Sequence, residues 1–399
     1  MAQVTERDFT IGAKVPKTQR ILTLDLLRGF FLLVIMIDHI ELYPNLWDFF
    51  TGKGRLWVSA AEGFFFMSGL LIGMMYKRRL HLGMKFIFRK MWTRAAQLYL
   101  VGVGFTLLYV SWVVFTHHAP VKDSLPLPFP WHHYLVQALL MRFTYGWADF
   151  LVRFALLMFA APFVFYLLSK GKWWLAFAGI WAAWVLRGQG FTLAWQLIFN
   201  MGIIIGYYWQ PMQQRFRKLS AGRQKLIKRS FLTAGLATFI FSYASVYVLS
   251  LLFFLWGDNH LPHYWQHVAF TWGWLNHDIW NWADKWTMGP LRIALFFIWF
   301  PVLYAIVRRY EQRLEHISHG IIEALGRNSL FVYSVHSVIV FTLKMYFIPP
   351  TTNLLQNFLI TGSGLVALVL ITKLYIRYRP ALSSVNLPFI NWRANKTSS

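Results

Sequence analysis

The stretch that decides the fold is residues 21–43, which read ILTLDLLRGFFLLVIMIDHIELY. It is apolar over the roughly 20 residues that a helix needs to cross the hydrocarbon of a bilayer. It nevertheless carries ionisable side chains at Asp25, Arg28, Asp38 and His39. Such groups are costly inside a membrane and normally face the protein interior or a water-filled cavity. The stretch therefore predicts a transmembrane helix with a polar face, packed within a larger bundle.

The spacing of these side chains predicts a polar stripe along one face of that helix. Arg28 and His39 are eleven residues apart, which is close to three full turns, and Asp25 lies one turn before Arg28. At a rise of 1.5 Å per residue, Arg28 and His39 are roughly 16 Å apart along the axis, one in the inner half and one near the outer end. An alternative remains open, in which Arg28 snorkels toward the cytoplasm and His39 caps the outer interface.

The composition of the whole chain is typical of a membrane protein. Of its 399 residues, 57% are hydrophobic and 14% are charged, and the mean hydropathy is +0.45. Soluble domains carry about a quarter charged residues, so these values exclude a disordered chain, a coiled coil and an ordinary soluble enzyme. The lack of cysteine excludes disulfides and thiolate chemistry, and nothing in the sequence indicates a metal site.

Apolar runs of spanning length recur along the chain and predict an all-α, polytopic bundle of about ten transmembrane helices. We expect one transmembrane domain at 21–378, between tails at 1–20 and 379–399, with an outside loop at 257–287. The ten runs lie at 21–43, 57–76, 93–116, 146–168, 173–187, 191–209, 230–256, 288–307, 328–348 and 354–376.

Positive charge is concentrated in alternate loops, for example at 77–90, 215–229 and 308–327. Loops rich in Lys and Arg stay in the cytoplasm. The pattern therefore predicts that both termini are cytoplasmic. This arrangement requires an even number of spans, and ten satisfies the requirement. The net charge of +24 is then explained by topology, and no nucleic-acid partner is expected.

The second predicted span places a carboxylate near the histidine of the first. Glu62 lies about one turn inside the outer face, at the depth expected of His39. A carboxylate there would orient the imidazole and raise its basicity, as a general base requires. His39 is therefore the candidate catalytic base, oriented by Glu62 or by Asp38. The alternative is that Glu62 pairs with Arg292 or another cation for structure alone.

Several other polar and aromatic side chains lie in or beside the predicted spans, and some of them have more than one interpretation. Asp149 and Arg153 are four residues apart and predict an ion pair on a helix. His336 lies near the middle of its span, where a lone histidine is more often a hydrogen-bonded core residue than a catalyst. Trp272 and Trp274 in the outside loop either join an interfacial aromatic belt or stack on sugar rings.

Five short motifs carry a family resemblance. They are DLLRG at 25–29, IDH at 37–39, EGFFFMSG at 62–69, AWQLIF at 194–199 and LGRNSLFVYSVH at 325–336. Together they resemble the membrane acyltransferase-3 superfamily, in the form of the OpgC-like succinyltransferases of osmoregulated periplasmic glucans. The resemblance runs over residues 18–378, and it implies a location in the bacterial inner membrane.

The resemblance implies transfer of an acyl group from a cytoplasmic acyl-CoA, with succinyl-CoA as the best guess, to hydroxyls of a periplasmic glucan. Acyl-CoA is then a co-substrate, and no permanently bound cofactor is expected. The donor-binding candidates are Arg28, Asp25, Arg78, Arg79, Arg89 and Arg94, although topology alone also explains the loop arginines. The candidates for the acceptor, the oxyanion or an acyl carboxylate are Asp149, Arg153, Arg292, His336, Ser68, Trp272 and Trp274.

Two other functions remain open at this point. The first is an O-acetyltransferase of another cell-envelope polysaccharide, which would use the same chemistry. The second is a proton-coupled transporter or exporter of a sugar or glycolipid, because intramembrane Asp, Glu and His side chains also form proton relays. The sequence lacks the two-fold hydropathy repeat that many transporters have, and consumption of acyl-CoA separates the two classes.

Overall fold

The structure is a computed structural model, and every regular element that it describes is helical. Within the described ranges no strand occurs, which confirms the all-α class. The predicted N-terminal tail and most of the outside loop and C-terminal tail lie outside these ranges. The described residues are 21–53, 55–116, 130–257, 277–346 and 353–384, with side chains described in all of them except 246–257 and 380–384.

Fourteen α-helices follow one another along the described chain, besides a helical stretch at 277–282, and each of the ten predicted apolar runs falls on one of the fourteen. Their bounds are α1 Leu22–Ile40, α2 Leu46–Thr51, α3 Ala60–Arg78, α4 Met84–Thr116, α5 Trp131–Leu139, α6 Asp149–Ser169, α7 Trp173–Val185, α8 Phe191–Tyr207, α9 Trp209–Arg217, α10 Ala221–Gly257, α11 Pro290–Ile317, α12 Ile321–Arg327, α13 Ser329–Tyr346 and α14 Leu354–Ser384. Several helices, such as α10 and α11, continue beyond the apolar run into charged sequence.

Five of these helices are long and apolar enough to cross a membrane, which supports a multi-pass membrane protein. They are α4, Gly146–Ser169, α11, α13 and Leu354–Arg379. A sixth span results if α8 and α9, which meet at 62°, are counted together. Helix α1 is long enough, but Asp25, Arg28 and Asp38 make it too polar to be recognised by composition alone. The count of ten spans and the cytoplasmic termini stay predictions.

Helices α3 and α8 approach each other through glycines on both sides. The glycines are Gly69 and Gly73 on α3 and Gly202 and Gly206 on α8, and a Cβ on any of them would overlap backbone of the opposite helix. Both pairs have the spacing of four that allows close helix contact in membranes. The two backbones therefore touch directly, and this contact holds in place the helix that carries Glu62.

Replacing Gly206 with alanine is expected to destabilise the protein by about 1–3 kcal/mol, the usual cost of overpacking. The new methyl group would meet the Leu70 carbonyl, which belongs to backbone and cannot rotate away. Gly104→Ala is the matched control, because a Cβ at Gly104 meets nothing within 4 Å. Thermal unfolding in detergent measures both variants, and equal melting temperatures would contradict this account of the contact.

Helix α1 lies in the middle of the bundle, against α3, α11, α12 and α13. Its first half is in close contact with the short helix α12. Gly29 faces the Ile322 carbonyl, and Gly326 faces the Asp25 carbonyl. This contact brings the first half of α1 to the start of α13, and the second half of α1 continues along α13 toward the predicted outer side.

Candidate functional site

Two histidines meet where the C-terminal end of α1, its predicted outer end, lies against the middle of α13. His39 Nδ1 and His336 Nε2 are 3.1 Å apart, and the two rings stack with centroids 5.0 Å apart and planes at 25°. His336 is 1% exposed, whereas His39 is partly exposed. His39 is therefore partly exposed as a residue while its Nδ1 contacts a buried partner, an arrangement that suits a general acid or base.

The surroundings of His336 hold α13 to its neighbours. Tyr333, one turn earlier on α13, meets the His336 ring at an angle of 67°, and its hydroxyl donates to the Trp147 carbonyl at 3.1 Å. The Tyr109 and Ser337 hydroxyls are 2.8 Å apart. Buried, hydrogen-bonded groups of this kind fix side-chain positions, so the position of the His336 ring is determined by packing.

The Glu62 carboxylate forms its hydrogen bonds and its ion pair with groups other than His39. One oxygen accepts from the Ser59 N–H at 3.0 Å and from the Ser59 hydroxyl at 2.5 Å, because Glu62 is the third residue of α3 and completes a capping box with Ser59. The other oxygen pairs with Arg292, whose Nε donates to the Ala283 carbonyl at 2.7 Å. These contacts match the structural alternative for Glu62, and the expected contact with His39 does not occur among the described residues.

Asp38 directly precedes His39 in the chain, but its contacts are with groups other than the imidazole. The Lys53 ammonium donates to the Asp38 carbonyl at 2.5 Å, and Oδ1 of the Asp38 carboxylate is buried with no hydrogen-bond partner among the described residues. Burial lowers the pKa of Lys53 and raises the pKa of Asp48 in the segment that follows α1. Asp38 thus belongs to a charged cluster beside His39, and a role in orienting the imidazole stays a prediction.

Asp25 and Arg28, at the other end of the predicted polar stripe, also make polar contacts. Arg28 donates to the Ser329 hydroxyl, and Asp25 faces Arg327 at 3.6 Å. Arg327 in turn pairs with Glu323, one turn earlier on α12. Arg28 and Asp25 therefore both lie at the junction of α1, α12 and α13.

The four remaining donor candidates lie at the end of α3 and in the first part of α4. Arg78, Arg79 and Arg89 are exposed, and Arg94 donates to Gln97 at 3.3 Å. Exposed guanidinium groups can bind phosphates, but they are also what a basic cytoplasmic loop requires. Their role in donor binding stays a prediction.

The candidates for the acceptor side are spread over several helices. Asp149 and Arg153 form the predicted ion pair at 3.2 Å. The Ser68 hydroxyl donates to a carbonyl of its own helix at 2.8 Å. Trp272 and Trp274 lie outside the described residues. No described group of three His, Asp or Glu side chains could hold a metal ion.

Sequence reasoning missed two features of the site. It treated His336 as a lone histidine, although the ring lies against His39. It assigned no role to Ser329, although this residue receives the Arg28 guanidinium. The available signal was the motif at 325–336, which contains both residues, but the motif alone does not say which helix they face.

Taken together, the apolar helices and the ionisable side chains of α1, α3 and α13 define a multi-pass membrane protein with a polar interior. The chain belongs to the OpgC protein family, whose model matches residues 20–379. No curated protein and no solved structure matched the chain in the same comparisons. Membership of this family points to a membrane acyltransferase of glucans, which agrees with the expectation drawn from the motifs.

Proposed function

We propose that the chain transfers a succinyl group from cytoplasmic succinyl-CoA to hydroxyls of a periplasmic glucan, with His39 as the general base. The observation that carries this proposal is the contact between the partly exposed His39 and the buried His336 at 3.1 Å. The contact lies at the predicted outer end of the polar helix α1, where an acceptor outside the cytoplasm would arrive.

The contact supports a specific protonation state of the pair. His336 Nδ1 is buried and has no hydrogen-bond partner among the described residues, the Tyr333 backbone acts on the His336 ring, and we place the proton of His336 on Nδ1. His336 Nε2 is then an acceptor, and His39 Nδ1–H donates to it. The remaining nitrogen of His39, Nε2, keeps its lone pair for a substrate proton. In this arrangement His336 is a positioning residue, and His39 is the residue that touches the acceptor.

The other end of α1 supports binding of the donor. Arg28 lies roughly 16 Å from His39 along the helix, given a rise of 1.5 Å per residue. A guanidinium at that position suits a phosphate of acyl-CoA that enters from the cytoplasm. The pantetheine arm then extends along the polar face of α1 and brings the thioester to His39.

The reaction follows from these positions. His39 Nε2 takes the proton of a glucan hydroxyl as its oxygen attacks the thioester carbonyl. The carbon–oxygen bond forms, the carbon–sulfur bond breaks, and the electron pair leaves with sulfur. The resulting CoA thiolate takes the proton back from the His39 imidazolium, so the products are an ester and free CoA.

Release of CoA thiol tests this function. Purified protein in nanodiscs is incubated with succinyl-CoA or acetyl-CoA, with and without a β-glucan acceptor. We expect release from succinyl-CoA that depends on the acceptor. Release from acetyl-CoA alone would reject the succinyl donor, and no release from either by folded protein would reject the acyltransferase and favour a transporter.

A further inference from the structure

A cavity of about 290 Å³ lies between α12 and the second half of α14. Its wall is formed by the turn that leads into α12, by α12 itself, and by the face of α14 between Val369 and Arg377. None of the residues of the site described above lines it. Its volume is near the lower end of the range for small-molecule sites, about 300–1,000 Å³. The cavity therefore suits a compact headgroup and is too small for a whole acyl-CoA.

Three basic side chains line this cavity, namely His319, Lys373 and Arg377, and none of the described residues that line it is acidic. Lys373 and Arg377 are four residues apart on α14, which places their Cβ atoms about 5–6 Å from each other. Both are exposed, and neither forms an ion pair within the described part of the chain. The cavity therefore presents positive charge that an incoming anion can neutralise.

The rest of the wall is largely apolar and adjoins a face of α14 that is open to lipid. Val369 and Ile376 line the cavity, and Leu370 and Leu374 beside them are exposed. Of the spanning part of α14, 22% is buried inside the bundle, the lowest share among the five candidate spans. A molecule in the cavity can therefore place its charged part beside the basic side chains and its apolar part against the hydrocarbon.

The basic side chains lie at the depth of the lipid headgroups on the predicted cytoplasmic side. The apolar run of α14 is predicted to end at residue 376, and His319 belongs to the basic segment 308–327, which is expected to be cytoplasmic. The cytoplasmic leaflet carries anionic lipids, and basic pockets between transmembrane helices on that side bind their headgroups. Position and charge thus indicate the same class of ligand.

We propose that this cavity binds the phosphate of an anionic phospholipid of the cytoplasmic leaflet, with Lys373 and Arg377 as the cations that hold it. Thr372 also lines the cavity and is 2% exposed. Its hydroxyl has no hydrogen-bond partner in the described ranges. An unpartnered buried hydroxyl is unfavourable, and a phosphate oxygen supplies the missing acceptor.

A lipid in this position joins two helices that contact each other over a small area. It touches α14 on one side and α12 on the other, and α12 is the helix whose Gly326 faces the Asp25 carbonyl of α1. A ligand that binds only the folded state stabilises that state. The bound lipid therefore stabilises the packing of α12 and, through it, the position of the first half of α1. This inference does not depend on acyl transfer.

Lipid binding to the purified full-length protein in detergent tests the inference, with native mass spectrometry as the measurement. Phosphatidylglycerol is titrated into wild type and into the double variant Lys373→Gln/Arg377→Gln. We expect the Kd to rise about 10- to 100-fold in the variant, the effect of losing a hydrogen bond to a charged group. Phosphatidylcholine, which has no net charge, should bind wild type about tenfold more weakly than phosphatidylglycerol.

Two further variants separate the cavity from the general surface charge. Lys225→Gln/Arg229→Gln makes the same charge change at the same spacing on α10, where both side chains are exposed, and should change the Kd less than about twofold. Ala324→Phe changes no charge but places a ring in the wall of the cavity, and should raise the Kd about tenfold. Melting temperatures without added lipid show that each variant is folded.

Four results would overturn the inference. They are an unchanged Kd in Lys373→Gln/Arg377→Gln, an equal loss in the α10 control, equal binding of phosphatidylcholine by wild type, and an unchanged Kd in Ala324→Phe. Coenzyme A is added as a competitor, and displacement of phosphatidylglycerol by it would assign the cavity to the phosphate of a soluble ligand instead. Acyl transfer is measured separately by release of thiol, so failure here leaves the proposed function intact.

Discussion

Replacing His39 with alanine is expected to lower kcat for acyl transfer by about 10²- to 10⁴-fold, the contribution of a positioned general base. The variant removes the nitrogen that takes the proton of the glucan hydroxyl. It leaves Arg28, roughly 16 Å away along α1, in place to bind the donor, so KM for succinyl-CoA should change little. The measurement is the initial rate of thiol release at saturating acceptor.

The control for this variant is His316→Ala, which removes an exposed imidazole at the C-terminal end of α11. It should keep the wild-type rate. Both variants should stay folded, but His39→Ala leaves the buried His336 Nε2 without its hydrogen bond and should lose about 1–3 kcal/mol of the free energy of unfolding, so rates are compared well below the melting temperatures. A His39→Ala protein that retains its rate would reject His39 as the base.

Replacing Glu62 with alanine is expected to lower the free energy of unfolding by roughly 3–5 kcal/mol, the usual cost of breaking a buried ion pair from one side. The carboxylate and Arg292 are both buried, so the variant leaves an unpaired guanidinium inside the protein. It also removes the capping box with Ser59 at the start of α3. Thermal or denaturant unfolding in detergent measures the effect.

Two comparisons show whether the loss comes from the buried charge. Glu323→Ala breaks a pair whose arginine side chain is 44% exposed, and we expect less than about 1 kcal/mol there. Glu62→Leu combined with Arg292→Met removes both charges and should recover most of the loss. A Glu62→Ala protein as stable as wild type would contradict a structural role for the pair, and would reopen the interpretation in which Glu62 serves His39.

The helices could be predicted from sequence because hydropathy is a local signal. Each apolar run falls on a helix, and residues 21–43 are seen as α1 at Leu22–Ile40. The ion pair of Asp149 and Arg153 could also be predicted from sequence, since residues four apart on a helix are neighbours whatever the fold.

Contacts between helices could not be predicted in the same way. His39 and His336 are 297 positions apart along the chain, and their contact depends on how α1 and α13 are rotated. For the same reason the sequence could not decide between His39 and Arg292 as the partner of Glu62. Gly69 belongs to the motif at 62–69, but the sequence does not say which helix it faces, and its contact with α8 required the structure.

Transfer of label to the glucan tests the central claim most directly. The protein is reconstituted with a β-glucan and succinyl-CoA labelled with ¹⁴C in the succinyl group, and the glucan is isolated and counted. Wild type should place the label on the glucan in an ester that mild alkali removes, His316→Ala should do the same, and His39→Ala should leave the glucan unlabelled. Unlabelled glucan after incubation with folded wild-type protein, or equal labelling by His39→Ala, would contradict the account.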